Sequence, residues 1–179
     1  IRDYDVTGVQ TCALPILLIV RPFVKSDFDS VKNIYQQGID TGNATFQEQA
    51  KNYSDWNESL LPSCRLVAEI DSVIIGWAAL SAVSNRCIYF GVAEVSVYVG
   101  SSSQGLGIGS TLLNALIKAS EEEGIWMLQA GIFPENQASI HIHSKSGFKV
   151  LGIRERLGQM NGAWRDIVFM EHRSKVVGV

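Results

Sequence analysis

Apolar residues occur along the chain in short runs that are rich in β-branched side chains and bounded by polar or turn-forming residues. Such runs are typical of β-strands. Two of them are separated only by Asp71 and Ser72, a spacing that predicts a tight hairpin. We predict seven strands, in the runs LLIVRPFV, RLVAEI, VIIGWAAL, residues 88–99, IWMLQAGI, FKVLGI and AWRDIVFM.

A second pattern, with apolar residues three or four positions apart, indicates helices between these strands. It is clearest after Ile108, where Leu112, Leu113 and Leu116 share one face of a helix that ends at Gly124. The other predicted helices span residues 26–39, a short segment from Ser54, and residues 136–146.

The helix starts and the order of the elements complete this prediction. Ser26 can cap the first helix in a capping-box arrangement with Asp29, and Ser54 can open the second. The order is strand, two helices, three strands, helix, strand, helix and two strands. It predicts an α/β or α+β domain in which about four helices cover a mixed sheet of about seven strands.

The segment SSSQGLGIGSTLL, residues 101–113, places three glycines at alternate positions between a strand and a helix. Loops of this kind commonly bind phosphates through free backbone N–H groups and the positive end of the helix dipole. Ser110 stands five positions after Gly105 with no lysine beside it, which disfavours the loop of nucleotide triphosphatases. Ser110 also replaces the third glycine that a dinucleotide-binding loop requires.

Composition narrows the class of protein and of partner. The chain has 179 residues, 46% of them hydrophobic and 18% charged, as expected for one globular domain. Its net charge of −3 argues against nucleic acid or an anionic membrane surface as partner, which leaves a small molecule. The apolar run of residues 13–20 is too short to span a bilayer.

The three cysteines, Cys12, Cys64 and Cys87, have no CxxC spacing. This pattern indicates neither a disulfide framework nor a zinc site. It favours a reducing compartment, so we expect a cytoplasmic protein.

The first sixteen residues contain VTGVQTCALPI, which resembles the translation of a sequencing-library adapter. We expect residues 1–16 to be a non-native leader, with a native strand or leader as the alternative. Cys12 would then not belong to the native protein, and the native N-terminus would differ. Residues 17–173 are predicted to form the domain and residues 174–179 a C-terminal tail.

The six residues QGLGIG match the Q/RxxGxG/A pattern of the GCN5-related N-acetyltransferases, and the chain resembles this family. The resemblance implies the GNAT fold, with acetyl-coenzyme A as cosubstrate and no metal. It implies that the loop holds the cofactor's pyrophosphate through Gln104, Gly105, Leu106, Gly107, Ile108, Gly109 and Ser110. The backbone of Val97, Tyr98 and Val99 and the side chain of Asn136 would contact the pantetheine arm.

Further segments narrow the resemblance to the phosphinothricin and methionine sulfoximine N-acetyltransferase branch. They are AEVSVYV, QGLGIGSTLL, residues 136–148 and AWRDIVF. The branch implies a small, amino-acid-like amine as acceptor and direct attack on the thioester. The alternatives are another amine (a polyamine, an aminoglycoside or a protein N-terminus) and a non-catalytic acyl-coenzyme A sensor. Members of the family are often dimers, so a homodimer also stays open.

Two side chains suit proton transfer. Glu94 lies inside an apolar strand, where desolvation would raise its proton affinity, and it matches the glutamate of the branch motif. The alternative is a strand glutamate that faces solvent. His143 stands where the branch has a histidine, and either transfers a proton or packs beside the substrate. His141 lies two positions away and faces elsewhere on the helix, which disfavours a metal site of two histidines.

Four residues are candidates for substrate contacts. Arg86 and Tyr89 precede Glu94 at the spacing where the branch has such contacts, and an arginine can bind a carboxylate or phosphinate through two hydrogen bonds. Phe46 and Trp164 are candidates for the wall of the same pocket. The alternatives are a solvated loop residue for Arg86 and ordinary core packing for the aromatic side chains.

Overall fold

The computed structural model describes residues 17–179, so the predicted leader lies outside the described residues. Seven strands form one sheet in the order β1-β2-β3-β4-β5-β7-β6. The strands are β1 (Leu18–Pro22), β2 (Leu66–Ile70), β3 (Val73–Ala82), β4 (Val92–Val99), β5 (Met127–Ile132), β6 (Lys149–Met160) and β7 (Ala163–Arg173). The α-helices are α1 (Phe28–Asp40), α2 (Tyr53–Ser59), α3 (Ile108–Glu122) and α4 (Gln137–Lys145).

The predicted class is confirmed, with seven strands and four α-helices between residues 17 and 179. The sheet is mixed, because β4 and β5 run parallel while the other neighbours are antiparallel. Asp71 and Ser72 form the predicted two-residue turn, with φ of 49° and 65°. Both values suit the hairpin turn that matches strand twist. No helix of the described chain is long and apolar enough to cross a membrane.

Side chains along each strand point alternately to the two faces of the sheet. Each face therefore forms its own hydrophobic core with its own helices. On one face Leu112, Leu113 and Leu116 of α3 pack with Leu80 and Ala93 of the sheet in the larger hydrophobic core. On the other face the smaller core joins residues of α1 and α2 to Trp77 and Ala79, with Tyr98 packed against it.

Three local predictions are wrong. Ser26 does not cap α1: it lies in a 3-10 turn, Lys25–Asp27, in which the Asp27 carboxylate accepts a hydrogen bond from the Val24 N–H at 2.9 Å. At α2, the N-terminal cap is Asn52, whose side chain accepts from the Asp55 N–H at 3.0 Å, so Ser54 lies inside the helix. The strand predicted from residue 88 begins only at Val92, because Cys87–Tyr89 form a further 3-10 turn.

Strands β4 and β5 are hydrogen-bonded only at their first three residues. Val92, Ala93 and Glu94 pair with Met127, Leu128 and Gln129, and the pairing ends there. Beyond Glu94, β4 continues to pair with β3 on its other edge. The last five residues of β4 therefore present an unpaired edge to an opening within the sheet.

Gly91, at the entrance to β4, lies against the indole ring of Trp126. A Cβ atom on Gly91 would lie 2.2 Å from Cε3 of Trp126. The Gly91 carbonyl accepts hydrogen bonds from the N–H groups of Trp126 and Met127, which fixes the two backbones together. The Gly91→Ala variant is expected to lose about 1–3 kcal/mol of stability because the ring and the backbone must separate. Thermal unfolding measures this loss.

A matched control is Gly152→Ala in β6, where a Cβ atom would meet nothing within 4 Å. Its stability is expected to stay within about 0.5 kcal/mol of the parent. Equal melting temperatures for both variants would contradict the close packing at Gly91.

Candidate active site

A cavity of about 590 Å³ opens where β4 and β5 separate. One wall is the second half of β4, from Glu94 to Tyr98, and the other is β5 from Gln129 to Ile132. The lining also includes Phe46 and neighbouring loop residues, Asn136 and His143 of the α4 region, and Arg154 of β6. Side chains from strands, helices and loops of the domain therefore meet where the sheet separates.

The glycine loop forms the start of α3 next to the end of β4, where a Cβ atom on Gly109 would lie 3.7 Å from Cγ2 of Val99. Residues 104–110 themselves are not part of the cavity lining. Gly105 and Gly107 adopt the left-handed region, with φ of 79° and 78°, and a Cβ atom on either would meet nothing within 4 Å. Within the described chain, the N–H groups from residue 104 to 110 donate to no protein acceptor. An open cluster of amide donors at a helix N-terminus is suited to bind phosphate.

The unpaired edge of β4 supplies a second set of backbone groups. The Tyr98 carbonyl faces β3, where it lies 3.0 Å from the position of a Cβ on Gly76. Since successive residues of a strand direct their backbone groups to opposite edges, those of Val97 and Val99 face the opening. The Tyr98 ring instead stacks on Trp77, with ring centroids 4.9 Å apart.

Glu94 is the last residue of β4 that pairs with β5, so its carboxylate lies at the point where the strands separate. The side chain is reached by solvent in the cavity, yet the surrounding protein raises the pKa of this carboxyl by desolvation. The positive charge of Arg154 opposes that rise. A carboxylate whose pKa is shifted toward neutrality is suited to accept a proton.

Gly131 of β5 leaves room for this carboxylate. A Cβ atom on Gly131 would lie 3.9 Å from Oε1 of Glu94 and 3.2 Å from the Ile167 side chain. The missing side chain keeps the space beside the carboxylate open.

His143 of α4 is 3% exposed and lines the cavity. Its Nδ1 lies 2.8 Å from the carbonyl oxygen of Ser139, and since a carbonyl can only accept, Nδ1 carries the proton. Its Nε2 is buried and has no hydrogen-bond partner in the described chain. Burial lowers the pKa of His143, so at neutral pH the ring is uncharged and Nε2 is a proton acceptor.

The loop that carries Phe46 is tied down over the cavity by Asn136 and Arg165. The Asn136 side chain donates to the Asn43 carbonyl at 3.2 Å and accepts from the Ser139 N–H at 3.1 Å. Arg165 donates to the Gly42 carbonyl at 3.1 Å and to the Asn43 side chain at 3.0 Å. Both polar atoms of the Asn136 amide are thus already engaged within the chain.

The predicted substrate contacts divide between two places. Phe46 lines the cavity, packed edge-to-face on Phe133 with ring centroids 4.8 Å apart. Arg86 and Tyr89 lie outside the cavity lining, in the exposed connection between β3 and β4, where the guanidinium sits 5.5 Å from the tyrosine ring centroid. Trp164, at the start of β7, is 57% exposed and also lies outside the lining.

Two polar residues of the cavity were missed at the level of sequence. Gln129 pairs with Glu94 across the two strands and lines the cavity. Its position inside the apolar run IWMLQAGI was a signal of the same kind as Glu94. Arg154 had no comparable signal, because it lies on β6 beside a register shift that no local pattern indicates.

Comparison with known proteins identifies the family. Residues 29–148 match the model of the acetyltransferase (GNAT) family, which is more than half of the chain. The chain belongs to this family. It is therefore an acetyltransferase, and the glycine loop, the opening beside β4 and the mixed sheet belong to a GNAT domain. The described residues include no cluster of metal-ligating side chains.

The relatives of this GNAT acetyltransferase confirm the predicted branch. It is 30% identical over 158 residues to a phosphinothricin N-acetyltransferase of Streptomyces viridochromogenes, which covers 85% of each chain. It is 31% identical over 152 residues to an L-methionine sulfoximine/L-methionine sulfone acetyltransferase of Salmonella typhimurium, covering 82% of this chain and 89% of the relative.

A solved structure of the same fold contains a cofactor. The yncA protein of Salmonella typhimurium, solved with its cofactor acetyl-CoA, superposes with a TM-score of 0.82 at 29% identity. The match covers 88% of this GNAT acetyltransferase and 94% of yncA. The two proteins therefore share the same overall fold.

Proposed function

We propose that this chain transfers the acetyl group of acetyl-coenzyme A to the amine of a small amino-acid-like acceptor of the phosphinothricin or methionine sulfoximine type. Two observations carry this proposal: Glu94 and the open edge of β4 line one cavity, and the free amides of the glycine loop lie at the end of the same strand, where Gly109 is next to Val99. The names of the relatives support the acceptor class.

The residues present fit this cofactor. The amides of residues 104–110 would hold its diphosphate, since they are unpaired and no side chain obstructs Gly105 or Gly107. The backbone groups of Val97 and Val99 would bind the pantetheine arm as a neighbouring strand would. Asn136 would hold the loop over the arm, because its side chain already spans α4 and Asn43. Acetyl-coenzyme A supplies an activated acetyl thioester when bound.

Glu94 would then accept the proton that the acceptor's ammonium must lose, directly or through one water. The desolvation that raises the pKa of Glu94 brings its proton affinity closer to that of the amine. Gln129, beside it on β5, can orient the amine or that water by hydrogen bonding.

The cysteines support direct attack by the amine on the thioester. Burial raises the pKa of the Cys64 thiol to about 11, which keeps it protonated. Cys87 is exposed, and neither of these two thiols lines the cavity. Within residues 17–179 no thiol is placed to carry the acetyl group.

The neutral imidazole of His143 is expected to contribute to turnover through the lone pair of Nε2. His143→Phe keeps an aromatic ring in the buried site but removes this acceptor, and should lower kcat about 10-fold or more. The Kd for acetyl-coenzyme A, measured by calorimetry, should be unchanged because no loop amide is altered.

The control is His141→Phe, an exposed position on the same helix. It should keep the parent kcat. If His143→Phe also keeps it, the histidine only packs beside Phe148, whose ring centroid lies 4.9 Å away.

A thiol-release assay with acetyl-coenzyme A tests the proposed function. The acceptors are phosphinothricin, methionine sulfoximine, a polyamine, an aminoglycoside and a peptide with a free N-terminus. We expect the highest kcat/KM with the first two. A preference for the cationic amines would contradict the acceptor class, and cofactor binding without any turnover would indicate a sensor.

Some predictions from the sequence are tested by none of these observations. The contact of Arg86 and Tyr89 with the acceptor, a homodimer and a cytoplasmic location stay predictions. Trp164 has the same status as a substrate contact.

A further inference from the structure

Arg154 is a cation in the cavity that the described chain does not neutralise. Its guanidinium carbon lies 3.8 Å from the centroid of the Phe169 ring. The ion pairs of the described residues are Arg21 with Asp27 and Glu69, and Arg165 with Glu135. Arg154 forms neither an ion pair nor a side-chain hydrogen bond with any residue in the range 17–179.

The stacked position leaves the guanidinium free to donate. A cation–π contact uses the face of the planar group, whereas its hydrogen-bond donors point outward in the plane. Two parallel N–H groups match the two oxygens of a carboxylate. Phe169 therefore fixes the orientation of Arg154 without consuming a donor.

The sheet places this donor pair near Glu94. Phe169 of β7 pairs with Gly131 of β5, and Gly131 borders the Glu94 carboxylate. Neighbouring strands are about 4.8 Å apart, so the guanidinium above Phe169 lies roughly one to two strand spacings from Glu94. Gly131 has no side chain to fill the space between the two charges.

We propose that Arg154 binds the α-carboxylate of the acceptor while Glu94 faces its α-amine. This inference rests on the proposed function and names the residue that selects an amino acid over a simple amine. A zwitterion fits between one carboxylate and one guanidinium with each of its charges paired. Lys51 is the other strongly basic residue of the lining, and it lies in the segment before α2.

The test compares two acceptors that differ only at the carboxylate, L-methionine sulfone and its α-carboxamide. In Arg154→Leu, kcat/KM for the acid should fall roughly 10- to 100-fold, as expected for a lost charge-assisted hydrogen bond, and that for the amide less than about threefold. Arg154→Lys should recover part of the loss. Lys51→Met, which removes the other strongly basic residue of the lining, should retain the parent preference for the acid, and Arg86→Leu tests the competing assignment, in which Arg86 binds the carboxylate.

An equal fall for both acceptors would overturn the inference, because it would indicate that Arg154 acts only on Glu94 or on folding. An unchanged preference in Arg154→Leu with a loss in Arg86→Leu would also overturn it. Saturation-transfer NMR of methionine sulfone binding to the parent and to Arg154→Leu decides the point without turnover. An enzyme that acetylates no amine contradicts the proposed function, whereas Arg154-dependent binding of the acid would still stand.

Discussion

Replacement of Glu94 by glutamine is expected to reduce kcat/KM for the acceptor by about 10²- to 10⁴-fold, the usual effect of removing a general base. Glutamine keeps the size and most of the polar contacts of the side chain but cannot take up a proton. Glu94 is the only carboxylate among the described residues that line the cavity, so no other carboxylate there can replace it.

The ionisation of Glu94 should also be visible in the dependence of kcat/KM on pH. Glu94 must be ionised to accept a proton, and desolvation raises its pKa above that of an ordinary glutamate. The parent kcat/KM should therefore fall as the pH drops through this raised pKa. The variant should lack that fall, and initial rates of thiol release across pH measure both profiles.

The matched control is Glu155→Gln, the same change on an exposed strand position outside the cavity. Its activity and pH profile should equal those of the parent. If Glu94→Gln keeps full activity and the parent pH profile, Glu94 takes no part in the reaction and is only a strand glutamate that faces solvent.

Substitution of Gly107 by aspartate is expected to raise the Kd for acetyl-coenzyme A at least 100-fold. The residue caps α3 with φ of 78°, a conformation that L side chains adopt at a cost, and the new carboxylate would face the diphosphate. Like charges in direct contact oppose binding, and the loop, residues 101–110, contains no lysine or arginine to offset the new charge. Isothermal titration calorimetry measures the change.

Two controls separate charge from backbone strain. Gly107→Asn has nearly the same shape without the charge, and asparagine tolerates the left-handed region, so its Kd should lie between those of the parent and Gly107→Asp. Gly124→Asp places the same charge at the other end of α3, where φ is 75° and a Cβ atom would meet nothing within 4 Å. Equal affinity in Gly107→Asp and the parent would refute the phosphate-binding assignment of the loop.

The amino-acid sequence by itself determined the features that depend on residues adjacent in sequence. The hairpin at Asp71 and Ser72, the apolar face of α3 and the glycine loop follow from local backbone preferences and from periodic burial. Glu94 was found in the same way, since a carboxylate inside an apolar strand is a local anomaly. The helix caps were mispredicted because several polar residues stood near each start. Asn52 caps α2, whereas the carboxylate of Asp27, at the start of α1, accepts from the Val24 N–H and makes no capping bond to the helix.

Only the tertiary structure decided which distant residues share the cavity. Arg154 reaches it because β6 is the edge neighbour of β7, and Phe169 of β7 holds the guanidinium above the sheet. Arg86, closer to Glu94 in sequence, lies outside the lining, in the exposed connection between β3 and β4. Strand order and the loss of pairing after Glu94 are long-range properties, which hydrophobic periodicity along one strand does not encode.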